Sequence, residues 1–378
     1  MTSYIIVFFC LWGLFLVSLF MKRYSILIDL FALGIFIFFA GQRFETGNDW
    51  LVYKNHYLDL QSHGLFGFVS DGVLVFEPIY ALTVWVFGFI LDFQNFLLVV
   101  AAFNGIVLYR FTKLLEGRFS GVAAIYYSWL YLATQMATIR YSIAISFFML
   151  SLMMFYKRKK FSAFFLAIIG CGYHTFILVF TPLFFLINRE FNFRRMLVFL
   201  LALGLCSYML FAALIAGWGD GVIFVTKIAL YLSEGTIKSL SPGIMAYIGI
   251  NFLFIFWVTK KFKDTSELRL VKWSAFYLIF FQIFLWSLPI FWNRVQVIVL
   301  TIQACIITRY IFDEQKVIVF LAVLLMSLFV IFRSLSAPAF ISYIPYQSYW
   351  GEYLLSDHFR SDGEERYLEA LEKQQLIN

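Results

Sequence analysis

The sequence predicts an all-α polytopic membrane protein of about 11–13 membrane helices, re-entrant or broken segments included. Its active-site cavity is expected to open to the outer, periplasmic side. Three observations carry this. The 378 residues are 62% hydrophobic and 13% charged, where a soluble domain carries about 25% charged residues. The apolar runs, rich in Phe, Leu and Ile, are longer than tilted barrel strands, so helices must satisfy the backbone in lipid. The basic residues gather in short connectors, the pattern that sets which ends face inward. The net charge of +7 is therefore a topology signal, and no nucleic-acid partner is expected.

Taken in order, the candidate spans are Tyr4–Met21, Ser25–Ala40, Val73–Leu91, Phe96–Arg110, Val122–Ala137, Ile139–Tyr156, Phe161–Ile187, Met196–Ala216, Gly243–Val258, Trp273–Pro289, Val295–Tyr310 and Val317–Phe332. Met1–Phe20 lacks an early charge and a small-residue cleavage site, so it reads as a retained span rather than a signal peptide. Phe161–Ile187 is interrupted by Gly170, Gly172 and His174, which suggests two half-helices. Residues 1–336 form the membrane domain. Residues 337–378 form an aromatic interfacial loop, with Pro338 and Pro345, and a charged, solvated tail containing one short amphipathic helix.

The strongest basic connectors are Lys157–Lys160, Arg189–Arg195 and Lys260–Lys272; Lys22–Arg23, Arg110–Arg118 and Arg309–Lys316 are weaker. Putting these inside places Arg43, Arg140, His174 and Arg294 near the outer side. One count does not close. Five spans lie between Lys22–Arg23 and Lys157–Lys160, where the number must be even. Either Val73–Leu91, with its early Glu77-Pro78, is re-entrant on the outer side, or two basic residues are too few to fix the first span.

A polar stretch, Gly41–Tyr57 (GQRFETGNDWLVYKNHY), follows the apolar run Ser25–Ala40 and holds Arg43, Glu45, Asp49, Lys54 and His56. Arginines beside an outer pocket suit a diphosphate, because the guanidinium fork binds phosphate oxygens bidentately and keeps its charge. Arg43, Arg140 and Arg294 are the candidates. A charge near bilayer depth costs a few kcal/mol even on lenient scales of about 2.5–3.5 kcal/mol. Arg43 and Arg294 could also snorkel at the interface. Asp49, Glu45, Glu77 and Asp92 are the acidic candidates, and His174 is a packed histidine or a catalytic one. The four cysteines, Cys10, Cys171, Cys206 and Cys305, lie in apolar runs without ligand spacing. There is no HExxH, no Cys/His cluster and no phosphate-binding glycine loop, so neither metal nor cofactor is expected.

The residues Gln42-Arg43-Phe44-Glu45-Thr46-Gly47-Asn48-Asp49-Trp50, then Tyr53, resemble the EpsG family of membrane polysaccharide polymerases, related to Wzy-type O-antigen polymerases. Phe76-Glu77-Pro78 is similar to that family's glutamate. Arg140 with Ala144 is similar to its Arg-Gln-x-x-Ala helix start, with Tyr141 standing where Gln is usual. Gly172-Tyr173-His174-Thr175, Arg294 and Pro345-Tyr346 follow in the family's order. The resemblance covers roughly residues 30–350.

It implies en bloc polymerisation of O-antigen or exopolysaccharide repeat units on the outer face of a bacterial inner membrane. Undecaprenyl-diphosphate-linked oligosaccharides would be donor and acceptor, membrane lipid the surroundings, and a chain-length regulator protein a further partner. Arg43, Arg140, Arg294 and Tyr53 would bind the diphosphates. His174 or Asp49 would orient or deprotonate the acceptor hydroxyl, with Glu77 in support. Two alternatives remain. An O-antigen ligase would carry a larger outer loop than Gly217–Pro242. A flippase of lipid-linked sugars would show two similar halves and charges across the whole membrane.

Overall fold

The computed structural model describes residues 1–70, 76–192, 195–196, 198, 201–202, 204–206, 209, 242–263, 265–285, 289–351 and 362–375. The helices in chain order are α1 (Thr2–Phe20), α2 (Ser25–Gly41), α3 (Trp50–Ser70), α4 (Pro78–Gly88), α5 (Phe93–Leu114) and α6 (Phe119–Tyr126), which runs on through a π turn to Thr134. Then come α7 (Ile139–Tyr156), α8 (Lys160–Tyr173), α9 (Pro182–Leu186), α10 (Pro242–Lys261), α11 (Ser266–Phe284), α12 (Pro289–Glu314), α13 (Val317–Leu335) and α14 (Gly363–Gln375). Seven helices among the described residues are long and apolar enough to cross a membrane. Four belong wholly or partly to the early spans, α1, α2, α5 and α7; the others are α10, α12 and α13. The protein is an all-α polytopic membrane protein. Most of Met196–Ala216 and of Gly217–Pro242 lies outside the described residues.

The chain forms two compact units, Met1–Val179 with Ala304–Asn378, and Phe180–Gln303. In the first, a basic end is tied together by Asp29, which has no solvent exposure. Its carboxylate accepts from Lys113 Nζ at 2.7 Å and from the Ser120 backbone N–H at 2.9 Å. One side chain thus joins the start of α2, the end of α5 and the start of α6. A buried carboxylate persists only with such partners. The turns at this end are tight: Glu116, Arg158 and Gln315 adopt left-handed backbone angles just past α5, α7 and α12.

At the opposite end, Gln94 Nε2 donates to the Gly41 carbonyl at 2.9 Å, and Arg43 reaches the Gln135 carbonyl at 2.7 Å. So α2, α5, α6 and α7 each run from one end to the other, and α8 returns beside α7. These four crossings are even, which closes the count between Lys22–Arg23 and Lys157–Lys160. The expected span Val73–Leu91 is not a crossing. The helix within its described part, Phe76–Leu91, is α4, of 11 residues, roughly 16 Å long against a hydrocarbon core of about 30 Å. Pro78 opens this helix at its first turn. The α3 helix before it is too polar to span and begins at the end opposite the basic turns, which is termed the outer end for the side that the connector charges predict.

The expected break in Phe161–Ile187 falls where the sequence put it. α8 stops at Tyr173, His174 is extended, and a 3₁₀ turn follows over Thr175–Phe180. The tail helix is amphipathic, as its pattern predicts, and docked on one face: Gly363, Arg366 and Ala370 of α14 are buried while Glu364, Glu365, Leu368, Glu369, Leu371 and Glu372 are exposed. The aromatic loop before it is partly buried: Tyr343 donates to the Leu132 carbonyl at 3.1 Å, and Tyr346 stacks on Phe39 at 4.2 Å. Such rings remove about 1.5–3 kcal/mol worth of apolar surface each from water.

The second unit packs α10 on α11. Its interior carries an amide chain in which Gln303 Nε2 donates to Asn251 Oδ1 at 2.8 Å and Asn251 Nδ2 to Gln282 Oε1 at 3.3 Å. Unpaired amides are costly away from water, so these three hold one another.

Candidate functional site

The outer end is built on the loop between α2 and α3. Its shape is forced by backbone contacts. Phe44 N–H donates to the Gln347 carbonyl at 2.9 Å, and Tyr349 N–H to the Gln42 carbonyl at 2.7 Å, pairing Arg43 with Ser348 as a short antiparallel bridge. Gly47 has φ +120, and a Cβ there would stand 2.3 Å from the Met136 carbonyl oxygen. Only glycine fits that approach. Asn48 Oδ1 accepts from Ser342 Oγ at 2.7 Å. The motif Glu45–Asp49 is therefore the seat of the loop, and its glycine is a packing requirement.

Arg43 is 2% exposed. Its Nη1 donates to the carbonyls of Ala40 at 3.1 Å and Gln135 at 2.7 Å, at the C-terminal ends of two helices. A cation there answers the negative end of each helix. Burial pulls its pKa below the usual arginine value, with nearby tyrosine hydroxyls opposing that shift. Its Nε is buried without an acceptor. Gln135 in turn is held by Asn104 Nδ2 at 3.1 Å, and Asn104 by Ser142 and Ser146.

A second cluster forms where α3, α4 and α7 meet. Arg140, in the first turn of α7, pairs with the Glu77 carboxylate just before α4. The Arg140 guanidinium lies 4.2 Å from the Phe76 ring centroid and hydrogen-bonds Tyr53. Its side chain keeps 19% exposure, against 6% for Glu77. His56, one turn past Tyr53 on α3, is 4.3 Å from Phe76 edge to face and stacks on Tyr80 at 5.9 Å. Burial, then the Arg140 charge, push the His56 imidazole down to about 4. It is neutral at ordinary pH and cannot serve as a cation.

His174 joins this cluster through one ring contact. Tyr141, next to Arg140, lies 5.3 Å from it, edge to face. His174 Nδ1 accepts from the Phe176 backbone N–H at 3.2 Å. With Nδ1 accepting, a ring proton sits on Nε2. Tyr173 OH and Thr83 Oγ1 bond at 2.7 Å, seating α8 against α4. Asp49 is half-buried, precedes α3, and raises the pKa of Tyr53 and Tyr343 after burial has done so first.

The structure thus brings Tyr53, Glu77 and Arg140 into contact and His174 beside them. Asp49 lies close enough to act on Tyr53. Arg43 sits at the same end, turned toward carbonyls. Arg294 belongs to the second unit, half-buried on α12. Among the described residues, no group of three His, Cys, Asp or Glu side chains forms a metal-ligand set. Sequence reasoning missed two participants. His56 stands three residues after Tyr53, a spacing that puts both on one helix face. Arg366 lies in the tail. Its guanidinium donates to the carbonyls of Glu45 at 3.1 Å and Pro345 at 3.0 Å, to Gln347 Oε1 at 3.1 Å, and to Asp362 Oδ1 at 3.1 Å. No local pattern in the tail announces that role.

A polytopic helical protein with an arginine–carboxylate–tyrosine cluster at its outer end is the class defined so far. Comparison with protein families matches residues 26–348 to the EpsG family. The chain belongs to the EpsG family, a family of Wzy-like polymerase-type membrane proteins. No curated protein and no solved structure matches it.

Proposed function

We propose that this protein is a glycosyltransferase that polymerises undecaprenyl-diphosphate-linked oligosaccharide repeat units en bloc on the outer face of the bacterial inner membrane. The observation that carries the reading is Arg140: a partly exposed guanidinium at the outer end, held by one carboxylate and one phenol. Family membership supports polymer synthesis; the substrate and the reaction are our inference.

In this reading the donor diphosphate docks on Arg140, and Tyr53 donates a further hydrogen bond. A diphosphate competes with Glu77 for the same guanidinium. The displaced carboxylate then accepts the proton of the acceptor hydroxyl, whose oxygen attacks the donor's anomeric carbon. The bond from that carbon to the diphosphate breaks with its electron pair on the leaving oxygen. Cations suffice to stabilise that charge, so no general acid is required. His174 or Asp49 orients the acceptor hydroxyl, and either is the alternative base. Arg43 holds the loop and adds positive potential.

The test is elongation of lipid-linked repeat units by purified protein in bilayers. Loss of one preorganised donor typically costs about 10²–10³ in rate. Arg140→Ala is expected to lose at least that, with Arg140→Lys intermediate because a point charge replaces the fork. Long chains made by Arg140→Ala at the wild-type rate would refute the assignment.

A further inference from the structure

The basic end of the first unit, opposite the Arg140 cluster, carries a groove between the end of α1 and the start of α13. The two helices meet where Trp12 and Phe15 pack on Phe320, with ring centroids 5.5 and 5.6 Å apart. Phe320 lies in the first turn of α13, and α1 runs on beyond Phe15 to Phe20. The space between these two ends has a volume of about 710 Å³, inside the range of about 300–1,000 Å³ in which small ligands bind. Every residue that lines it belongs to the first unit.

The groove is apolar along its length and basic at its rim. Leu16, Leu19, Phe20, Val317 and Phe320 form the walls, with Leu19 and Phe320 buried at the floor. Lys22, Arg23 and Tyr24, the turn that follows α1, form the rim together with Gln315. Chain order puts this rim beyond the ends of both helices, so charge and hydrocarbon are separated along one axis. The rim's charge is not neutralised by the protein. Lys113, Arg309 and Lys316, at the same end, each pair with a carboxylate. Lys22 and Arg23 are exposed, and among the described residues neither pairs with one. Their contacts are with rings: Lys22 Nζ lies 5.1 Å from the Phe312 centroid, and the Arg23 guanidinium 5.9 Å from that of Tyr24. The Arg118 guanidinium lies 3.5 Å from the same Phe312 centroid and bonds Ser25 Oγ at 3.2 Å, which adds a third cation without a carboxylate.

We propose that this groove binds an anionic phospholipid, with its headgroup phosphate at Lys22 and Arg23 and one acyl chain along the walls of α1 and α13. A soluble phosphate would find the cations but gain nothing from the apolar walls. A zwitterionic lipid would fill the walls but bring its own ammonium toward two cations. An anionic lipid answers both parts of the site, since basic residues at a membrane surface attract anionic headgroups. Tyr24 adds a ring of the kind that sits at headgroup level. The connector charges predict this end to face inward, where anionic lipid lies within reach. The site stands apart from the Arg140 cluster and does not rest on the polymerase reading.

The test is native mass spectrometry of detergent-purified full-length protein, titrated with phosphatidylglycerol or with phosphatidylcholine of the same chains. Wild type should bind its first phosphatidylglycerol about fivefold more tightly than phosphatidylcholine, or better. Lys22→Gln combined with Arg23→Gln should remove that preference. Lys159→Gln combined with Lys160→Gln should keep it, because these exposed cations of the same end line no part of the groove. Leu16 is 41% exposed, so Leu16→Trp fills the groove from its side while keeping both cations, and it should weaken both lipids severalfold. Equal binding of the two lipids by wild type overturns the site. A preference that survives in the Lys22 and Arg23 variant overturns it as well. So does an equal loss in both double variants, which would show only the general charge of this end. If the Lys22 and Arg23 variant fails to insert, Leu16→Trp decides alone: phosphatidylglycerol binding at the wild-type level would overturn the groove as the site.

Discussion

Arg366→Ala should destabilise the outer end far more than a tail substitution ordinarily would. The side chain is 8% exposed. Its three shortest bonds to the body, to Glu45 O, Pro345 O and Gln347 Oε1, are 3.0–3.1 Å. A hydrogen bond to a charged group is worth about 1.5–3 kcal/mol. These bonds share one guanidinium and do not add independently. Breaking a buried charged network by removing one partner costs about 3–5 kcal/mol, and that is the magnitude expected here. At about 2–4 °C per kcal/mol for chains of 150–250 residues, the first unit should melt roughly 6–20 °C lower.

The assay is a thermal melt of detergent-purified protein, with Arg366→Lys and Arg366→Gln beside the alanine variant. Lysine keeps the charge but places three donors on one atom, so it cannot reach Glu45, Pro345 and Gln347 together. It should recover less than half of the loss. A melt for Arg366→Ala within 1 °C of wild type would refute the reasoning, for it would mean that α14 contributes nothing to the loops it touches.

Two further outcomes follow from single positions. Gly47 and Gly64 both have positive φ, at +120 and +70, but only Gly47 meets a wall; nothing lies within 4 Å of a Cβ at Gly64. Gly64→Ala should cost about 1–3 kcal/mol of backbone strain, since its ψ of 166 puts it in a region almost restricted to glycine, whereas Gly47→Ala should prevent stable folding of the outer loop, as read by yield of monodisperse protein. His56 gives a pH dependence with a definite sign. Its pKa falls from 6.5 unfolded to about 4 folded. Its contribution is therefore fully present above pH 6.5 and is lost as pH falls toward 4, at up to about 1.4 kcal/mol per pH unit. The difference in melting temperature between wild type and His56→Phe should shrink or reverse from pH 7 to pH 4.5. A constant difference would refute a buried neutral histidine.

The membrane fold was legible because hydrophobic run length and connector charge report it directly. The break at His174 was legible for the same reason, since two glycines and a polar residue interrupt one apolar run. α3 was not. Trp50–Ser70 mixes Lys, Asn, His, Asp and Gln with apolar residues, so a search for apolar runs passes over it. The parity mismatch nevertheless pointed at the right neighbour, Val73–Leu91. Within the site, Arg140 and Glu77 could be named because charge beside a span is rare, and Tyr53 through the family resemblance alone. Their mutual contact could not, since it depends on α4 folding back between α3 and α8. The docking of α14 was equally hidden. Its composition is that of a solvated helix, and the groups that bury Arg366 are backbone carbonyls, which every residue has.

The three arginines at the outer end differ in what they face, and that difference sorts their roles. Arg43 donates to the helix-end carbonyls of Ala40 and Gln135, while Arg366 donates to the loop carbonyls of Glu45 and Pro345 and also to the Asp362 carboxylate. A carbonyl carries no net charge, so the pairing at Arg43 shapes the loop without cancelling the cation. Its field still reaches an anion arriving at the outer end, and a low-dielectric surrounding strengthens that reach. Arg140 instead faces a carboxylate, which neutralises it at rest and competes directly with any phosphate that docks. In the proposed mechanism, exchange of Glu77 for a phosphate oxygen would conserve the ion pairing of Arg140 and free a base in the same event. Substrate arrival would then be coupled to base release at one residue, and on that mechanism Glu77→Gln should keep diphosphate affinity within a few-fold of wild type while slowing elongation by about 10²–10⁴.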